Sequence, residues 1–139
     1  MRKPRILIFD DDAMILEMLQ EYFSMRNFEV KSFTEPIVCP HAEDGGRCLN
    51  PCADMIITDF LMPRINGIEL LERQTRQGCT VDVKNKAVVS GELPERYRDK
   101  MKGLADAFFQ KPFRMQDIKA WTTECLSRID LSRPLEKLE

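Results

Sequence analysis

The sequence predicts an α/β fold, a parallel sheet of five strands with helices on both faces, and three observations carry that reading. Residues 5–9, RILIF, form an apolar run on consecutive positions, the pattern of a strand covered on both sides. Short β-rich runs recur along the chain, and between most of them apolar residues return at steps of three and four. Residues that start or stop helices stand at the junctions of the two patterns.

The first strand stops at Asp10. Asp12 is placed to cap the next helix, residues 13 to about 26, where Ile15, Met18, Leu19, Tyr22 and Phe23 recur at helical spacing. Asn27 suits the helix exit. A second strand follows at about Glu29 to Phe33, and residues 55–60, MIITDF, supply the third. Asn66-Gly67 opens a helix through Ile68, Leu70 and Leu71, with Gly78 just past its end. Ala87-Val88-Val89 is the fourth strand, Pro94 to Leu104 a short helix, and Ala107-Phe108-Phe109 the fifth strand. Met115, Ile118, Trp121, Cys125 and Ile129 mark a last helix. Two segments break the alternation. Residues 36–54, PIVCPHAEDGGRCLNPCAD, hold three prolines and a Gly-Gly pair where a second helix belongs. Residues 132–139, SRPLEKLE, are a polar tail expected to fray, so the domain is expected to span residues 1–131.

Composition narrows the function classes. A chain of 139 residues fits one domain, and 43% apolar with 32% charged residues sets intrinsic disorder aside. A net charge of −2 supplies no basic field for nucleic acid or for membrane phosphates. The basic start MRKPR is followed by only a short apolar run and then three aspartates, which is no signal peptide, and no run is long enough to span a bilayer. Five cysteines without an export signal argue for a reducing compartment and against a disulfide framework. A cytoplasmic location is therefore expected.

Open parallel sheets bind ligands beyond the carboxyl ends of their strands. Strand one ends in Asp10-Asp11, strand three in Asp59, strand four in Ser90 and strand five in Lys111. Crowded carboxylates raise one another's pKa unless a cation neutralises them, and aspartates with water suit Mg²⁺. A carboxylate nucleophile beside that ion, with a lysine and a hydroxyl near, is a phosphoryl-accepting set. The one histidine, His41, lies in the irregular segment, and a deprotonated aspartate needs no general base.

The runs RILIFDDD, IITDFLMPRINGIELL, AVVSG and FFQKPF, in this order, resemble the four signature segments of the receiver domain of two-component response regulators, the chemotaxis-regulator-like family. The resemblance implies a flavodoxin-like strand order 2-1-3-4-5. It implies that Asp10 and Asp11 hold Mg²⁺, that Asp59 accepts the phosphoryl group, and that the backbone carbonyl of Leu61 is a further metal ligand. Ser90 resembles the switch hydroxyl and Lys111 the lysine that pairs with the phosphoryl group, and a cis Lys111-Pro112 bond is expected. Such a domain takes its phosphate from a histidine kinase or phosphotransfer protein and then changes its partner-binding surface. It is not an enzyme beyond self-catalysed phosphoryl transfer and dephosphorylation. It binds neither DNA nor membrane directly and is a monomer or a phosphorylation-dependent dimer.

Three departures stand out. Phe108 occupies the place of a switch tyrosine and brings no hydroxyl, the Ser90 to Lys111 stretch looks short, and the irregular segment replaces most of the second helix. Within that segment Cys39, His41, Cys48 and Cys52 fall inside fourteen residues, a set that zinc, a disulfide or plain packing each accommodates. Two other readings fit parts of the pattern. Asp10-x-Asp12 with AVVSG also resembles haloacid-dehalogenase-type phosphatases, with Asp10 as nucleophile, but that family needs a further acidic strand end, and the only aspartates after Lys111, Asp117 and Asp130, lie within or at the end of the last helical pattern. A receiver-like scaffold that is never phosphorylated is the third.

Overall fold

The computed structural model describes residues 1–37 and 50–138. In chain order the elements are β1 (Arg5–Phe9), α1 (Ala13–Met25), β2 (Glu29–Phe33), β3 (Met55–Asp59), α2 (Gly67–Arg76), a 3₁₀ turn (Val83–Asn85), β4 (Lys86–Ser90), α3 (Glu95–Met101), β5 (Ala107–Gln110) and α4 (Met115–Leu126). The strands form one parallel sheet in the order β2-β1-β3-β4-β5, as the resemblance implied.

Strand alternation divides the core into two layers. Leu7, Phe9, Ile56 and Val88 face one side and pack with Ile68, Leu70 and Leu71 of α2. Ile6, Ile8, Met55, Ile57, Ala87 and Val89 face the other and meet Leu16, Leu19 and Phe23 of α1 and Ile118, Trp121 and Cys125 of α4. The central strands β1, β3 and β4 are buried almost throughout, which is why their sequences read as continuous apolar runs rather than alternating ones. Each fully buried aliphatic side chain contributes about 1.5–3 kcal/mol by leaving water.

Local signals set the helix ends. The Asp12 carboxylate accepts from the Met14 and Ile15 N–H groups and caps α1. Asn66 and Glu69 exchange hydrogen bonds with each other's backbone in a capping box that starts α2. A side chain on Gly67 would run into the Asp59 carbonyl oxygen, so glycine lets the start of α2 press against the end of β3. Asn27, at φ 67°, ends α1 in the left-handed conformation its side chain tolerates.

Some expectations are adjusted. The third strand ends at Asp59 rather than Phe60, and the last helix stops at Leu126, with Ile129 still packed against the core beyond it. Among the described residues no helix separates β2 from β3. Up to residue 138 the tail makes contacts with the rest of the domain. The Glu136 N–H donates to the Pro51 carbonyl at 2.9 Å, the Arg5 guanidinium to the Glu136 carbonyl at 2.6 Å, and Leu138 rests on the α2-side core. The tail is polar in sequence, but arginines near the other terminus supply donors for its backbone.

Candidate functional site

The parallel register brings the carboxyl ends of β1, β3, β4 and β5 to one edge. Asp59 closes β3 opposite Val89, and Ser90 closes β4 one residue on. Lys111 follows β5 and is tied to β4 by its N–H, which donates to the Ser90 carbonyl at 2.8 Å. Its peptide bond to Pro112 is cis.

These ends bring the predicted residues together. Oxygens of Asp10, Asp11 and Asp59 lie within 4.8 Å of one another, and among the described residues this is the one such cluster. Asp10 is buried, its carboxylate accepting from the Asp12 N–H at 2.9 Å and from Lys111 Nζ at 3.2 Å. Asp59 is 5% exposed, and its Oδ1 lies 3.3 Å from Lys111 Nζ. Asp11 faces solvent. A pocket of about 360 Å³ opens over the group, lined by Asp11, Asp12, Asp59, Leu61, Ser90, Gly91 and Lys111.

The electrostatics follow from that crowding. Burial, and then the neighbouring Asp10 carboxylate, push Asp59 up to about 7, against the pull of Lys111. Burial works to lower Lys111, but the carboxylates of Asp10 and Asp59 outweigh it and hold the lysine above its ordinary value. Three carboxylates facing one ammonium leave an excess of negative charge. A hard divalent cation with oxygen ligands suits such a donor set.

The remaining expected residues are placed less simply. The Ser90 hydroxyl lines the pocket but is engaged by its own loop, donating to the Glu92 carbonyl at 2.6 Å and accepting the Glu92 N–H at 3.2 Å. Phe108 packs on the α2-side layer, whereas Phe109 lies on the other and meets Trp121 edge-on at 5.9 Å. Cys52 is buried in the α2-side core, and Cys39, His41 and Cys48 lie outside the described residues. Sequence reasoning missed Tyr97 of α3, whose ring packs edge-on against Phe60 at 4.9 Å, immediately after Asp59. No spacing signal marks that contact. Gly67, expected to open a helix and to shape the loop beside Asp59, sits where a side chain would collide with the Asp59 carbonyl oxygen.

Residues 6–123 match the model of the response regulator receiver domain family. The chain belongs to that family. The receiver is a signalling domain of two-component systems rather than a classical enzyme. Its similarity to the transcriptional activator protein PfeR of Pseudomonas aeruginosa is 30% identity over 131 residues, covering 94% of this chain and 40% of that protein. The phosphate regulon transcriptional regulatory protein PhoB of the same organism is 29% identical over 141 residues, covering 94% of this chain and 56% of that protein. The receiver thus spans about half the length of the curated relatives it matches. In fold it is similar to a CheY-like receiver domain protein from Methanospirillum hungatei, with a TM-score of 0.75 and 23% identity over 91% of this chain and 95% of that one. A signal receiver domain of an HD domain-containing protein from Pseudomonas fluorescens matches with a TM-score of 0.74 and 19% identity, over 91% and 97% of the two chains. The phosphatase alternative finds no support in the geometry: Asp117 lies on α4 and Asp130 beyond it, neither at a strand end. No helix among the described residues is long and apolar enough to cross a membrane.

Proposed function

We propose that Asp59 accepts a phosphoryl group from the phosphohistidine of a histidine kinase or phosphotransfer protein, and that this alters the surface formed by α3, β5 and α4. One observation carries the proposal: a buried carboxylate at the end of β3 lies 3.3 Å from a lysine ammonium, with two further carboxylates within 4.8 Å. Asp59 attacks phosphorus in line as the bond to the donor imidazole breaks, and that nitrogen leaves with its electron pair. Lys111 offsets charge on the phosphoryl oxygens. Asp10 orients Lys111 while the Asp12 N–H fixes Asp10 in turn. Asp10, Asp11, Asp59 and the Leu61 carbonyl are the groups that would hold Mg²⁺. When bound, this ion supplies the positive charge that keeps Asp59 ionised and screens the incoming phosphate.

Ser90 carries the change outward. Its hydroxyl leaves Glu92 to donate to a phosphoryl oxygen, freeing the loop that leads to α3. Phe108 packs against the same layer as Tyr97 and Met101, so side-chain movement there has a packed route to the surface even without a tyrosine hydroxyl.

Acetyl phosphate with Mg²⁺ should add one alkali-labile phosphate, lost in Asp59→Asn and on chelation. Unchanged labelling of that variant would shift the acceptor to Asp10, and absence of labelling in the unmodified chain would favour an unphosphorylated scaffold. With beryllofluoride, amide exchange should change in residues 90–111 and at the start of α4. Changes confined to α1 and β2 would count against the proposed surface.

A further inference from the structure

A second polar cavity lies at the edge of the sheet opposite the carboxylates. Its volume is about 250 Å³, and it is walled by the segment entering β3, the turn entering β4, the end of α4 and the start of the tail. Asn85, which lines it, is the last residue of the 3₁₀ turn that Asp82 caps and is 4% exposed. The Asn85 Oδ1 accepts from Arg128 Nε at 3.1 Å. An arginine nitrogen only donates, so the atom facing it is the amide oxygen and the NH₂ group points away from Arg128. That NH₂ group has no hydrogen-bond partner among the described residues. Buried donors are normally bonded, so this one calls for an acceptor inside the cavity.

Two guanidinium groups share the wall with it. Arg128 is fixed from behind, its Nη2 donating to the Lys84 carbonyl at 2.9 Å, which leaves its Nη1 without a partner. Arg133 forms no ion pair among the described residues. The neighbouring acids do not take up these donors. Arg2 donates to both oxygens of the buried Asp54, at 2.6 and 2.9 Å, and the Arg5 N–H adds a third bond at 2.8 Å. Asp82 faces solvent and accepts the Lys84 N–H at 2.9 Å. Asp130 also faces solvent and accepts from Ser132. With Arg2 matched to Asp54, the cavity keeps two guanidinium groups against the single exposed carboxylate of Asp82.

We propose that this cavity binds a small oxyanion, a carboxylate or phosphate group that accepts from Asn85 Nδ2, Arg128 and Arg133. Water would satisfy the amide but not the unmatched charge, and an anion does both. Drug-sized ligands occupy about 300–1,000 Å³, so the space limits the ligand to an anion with a short body. Arg133 belongs to the tail and Asn85 to the turn entering β4, so the bound anion ties the tail to the sheet. The cavity lies at the other end of β4 from Ser90 and uses neither Asp59 nor Mg²⁺. Its fate is therefore separate from that of phosphoryl transfer.

The test uses the isotope-labelled full chain in chelator, so that no metal recruits anions to Asp59. Inorganic phosphate and acetate are titrated separately at constant ionic strength, while NMR follows the Asn85 side-chain NH₂ and the backbone amides of residues 80–85 and 128–133. At least one anion should shift these resonances saturably, with half-saturation below about 10 mM. Saturation by phosphate alone assigns a phosphate ligand, and by acetate alone a carboxylate. Amide exchange in residues 133–136 should slow when the anion is bound. Asn85→Asp keeps an oxygen for Arg128 Nε but replaces the free donor with a carboxylate, so it should fold and weaken binding at least about tenfold. Arg133→Gln, a change at an exposed position, should weaken it in the same direction. Linear shifts without saturation, as bulk screening produces, or unchanged affinity in both variants would overturn the proposal.

Discussion

Asp59 is a carboxyl group held where its charge is unwelcome. It ionises near 3.8 in the unfolded chain and near 7 in the folded one, with no cation bound. Between those values the native state holds a proton that the unfolded state has released. The group's contribution to stability therefore falls as pH rises from about 4 and reaches its floor above about 7. Asparagine cannot ionise. In chelator, Asp59→Asn should melt higher than the unmodified chain at pH 8, with the gap closing toward pH 4, and Mg²⁺ should narrow the gap at pH 8 by binding the carboxylates. A gap independent of pH in thermal melts would show that charge is not its cause. The same residue illustrates what sequence discloses about the site. Asp10, Asp59, Ser90 and Lys111 were legible because strand ends in a parallel sheet share one edge, whatever else the chain does. The bond between Ser90 and Glu92 was not, because a rotatable hydroxyl's choice of partner leaves no periodic trace.

At the scale of elements, the junction of β3 with α2 is closed too tightly to admit a side chain at Gly67. The Gly67 N–H donates to the Phe60 carbonyl at 2.8 Å, with the Asp59 carbonyl and the Thr58 hydroxyl beside its α-carbon. Gly67→Ala should destabilise the domain by about 1–3 kcal/mol in urea titration, because backbone must shift to admit the methyl group. It should also slow acetyl phosphate labelling, since the backbone that moves carries Asp59, the proposed acceptor. Unchanged stability with full labelling would mean that α2 pivots freely away from β3. Capping boxes, helix exits and buried strands were readable here because each depends on neighbours within a few positions, as with Asn66 and Glu69. The packing of Tyr97 against Phe60 was not, because it depends on where a helix settles over the folded sheet.

The whole molecule is two apolar layers on one sheet, with the carboxylate cluster at one edge and residues 2 and 133–136 at the other. That second edge is densely tied. Arg2 makes a bidentate pair with the buried Asp54, at 2.6 and 2.9 Å, and also reaches the Arg133 carbonyl at 2.6 Å. Arg5 binds the Cys52 and Glu136 carbonyls, and Asn50 is held by the Glu136 carboxylate at 2.9 Å. Sequence gave no hint of this, since Arg2 and Arg133 are 131 positions apart, as are Arg5 and Glu136. Separation on that scale has a kinetic meaning. Contacts that close the largest loops form late, after the transition state has assembled the more local pairs. The docked tail therefore acts on the rate of opening rather than the rate of folding, as a latch that is thrown last and must be released first. Removing residues 132–139 should speed unfolding in stopped-flow urea experiments about tenfold, for a loss of about 1.4 kcal/mol in hydrogen bonds and packing, while the refolding arm stays nearly unchanged. Slower refolding by a similar factor would place the tail in the folding nucleus instead. With the latch intact, the folded receiver stays closed for longer than its equilibrium stability alone would dictate.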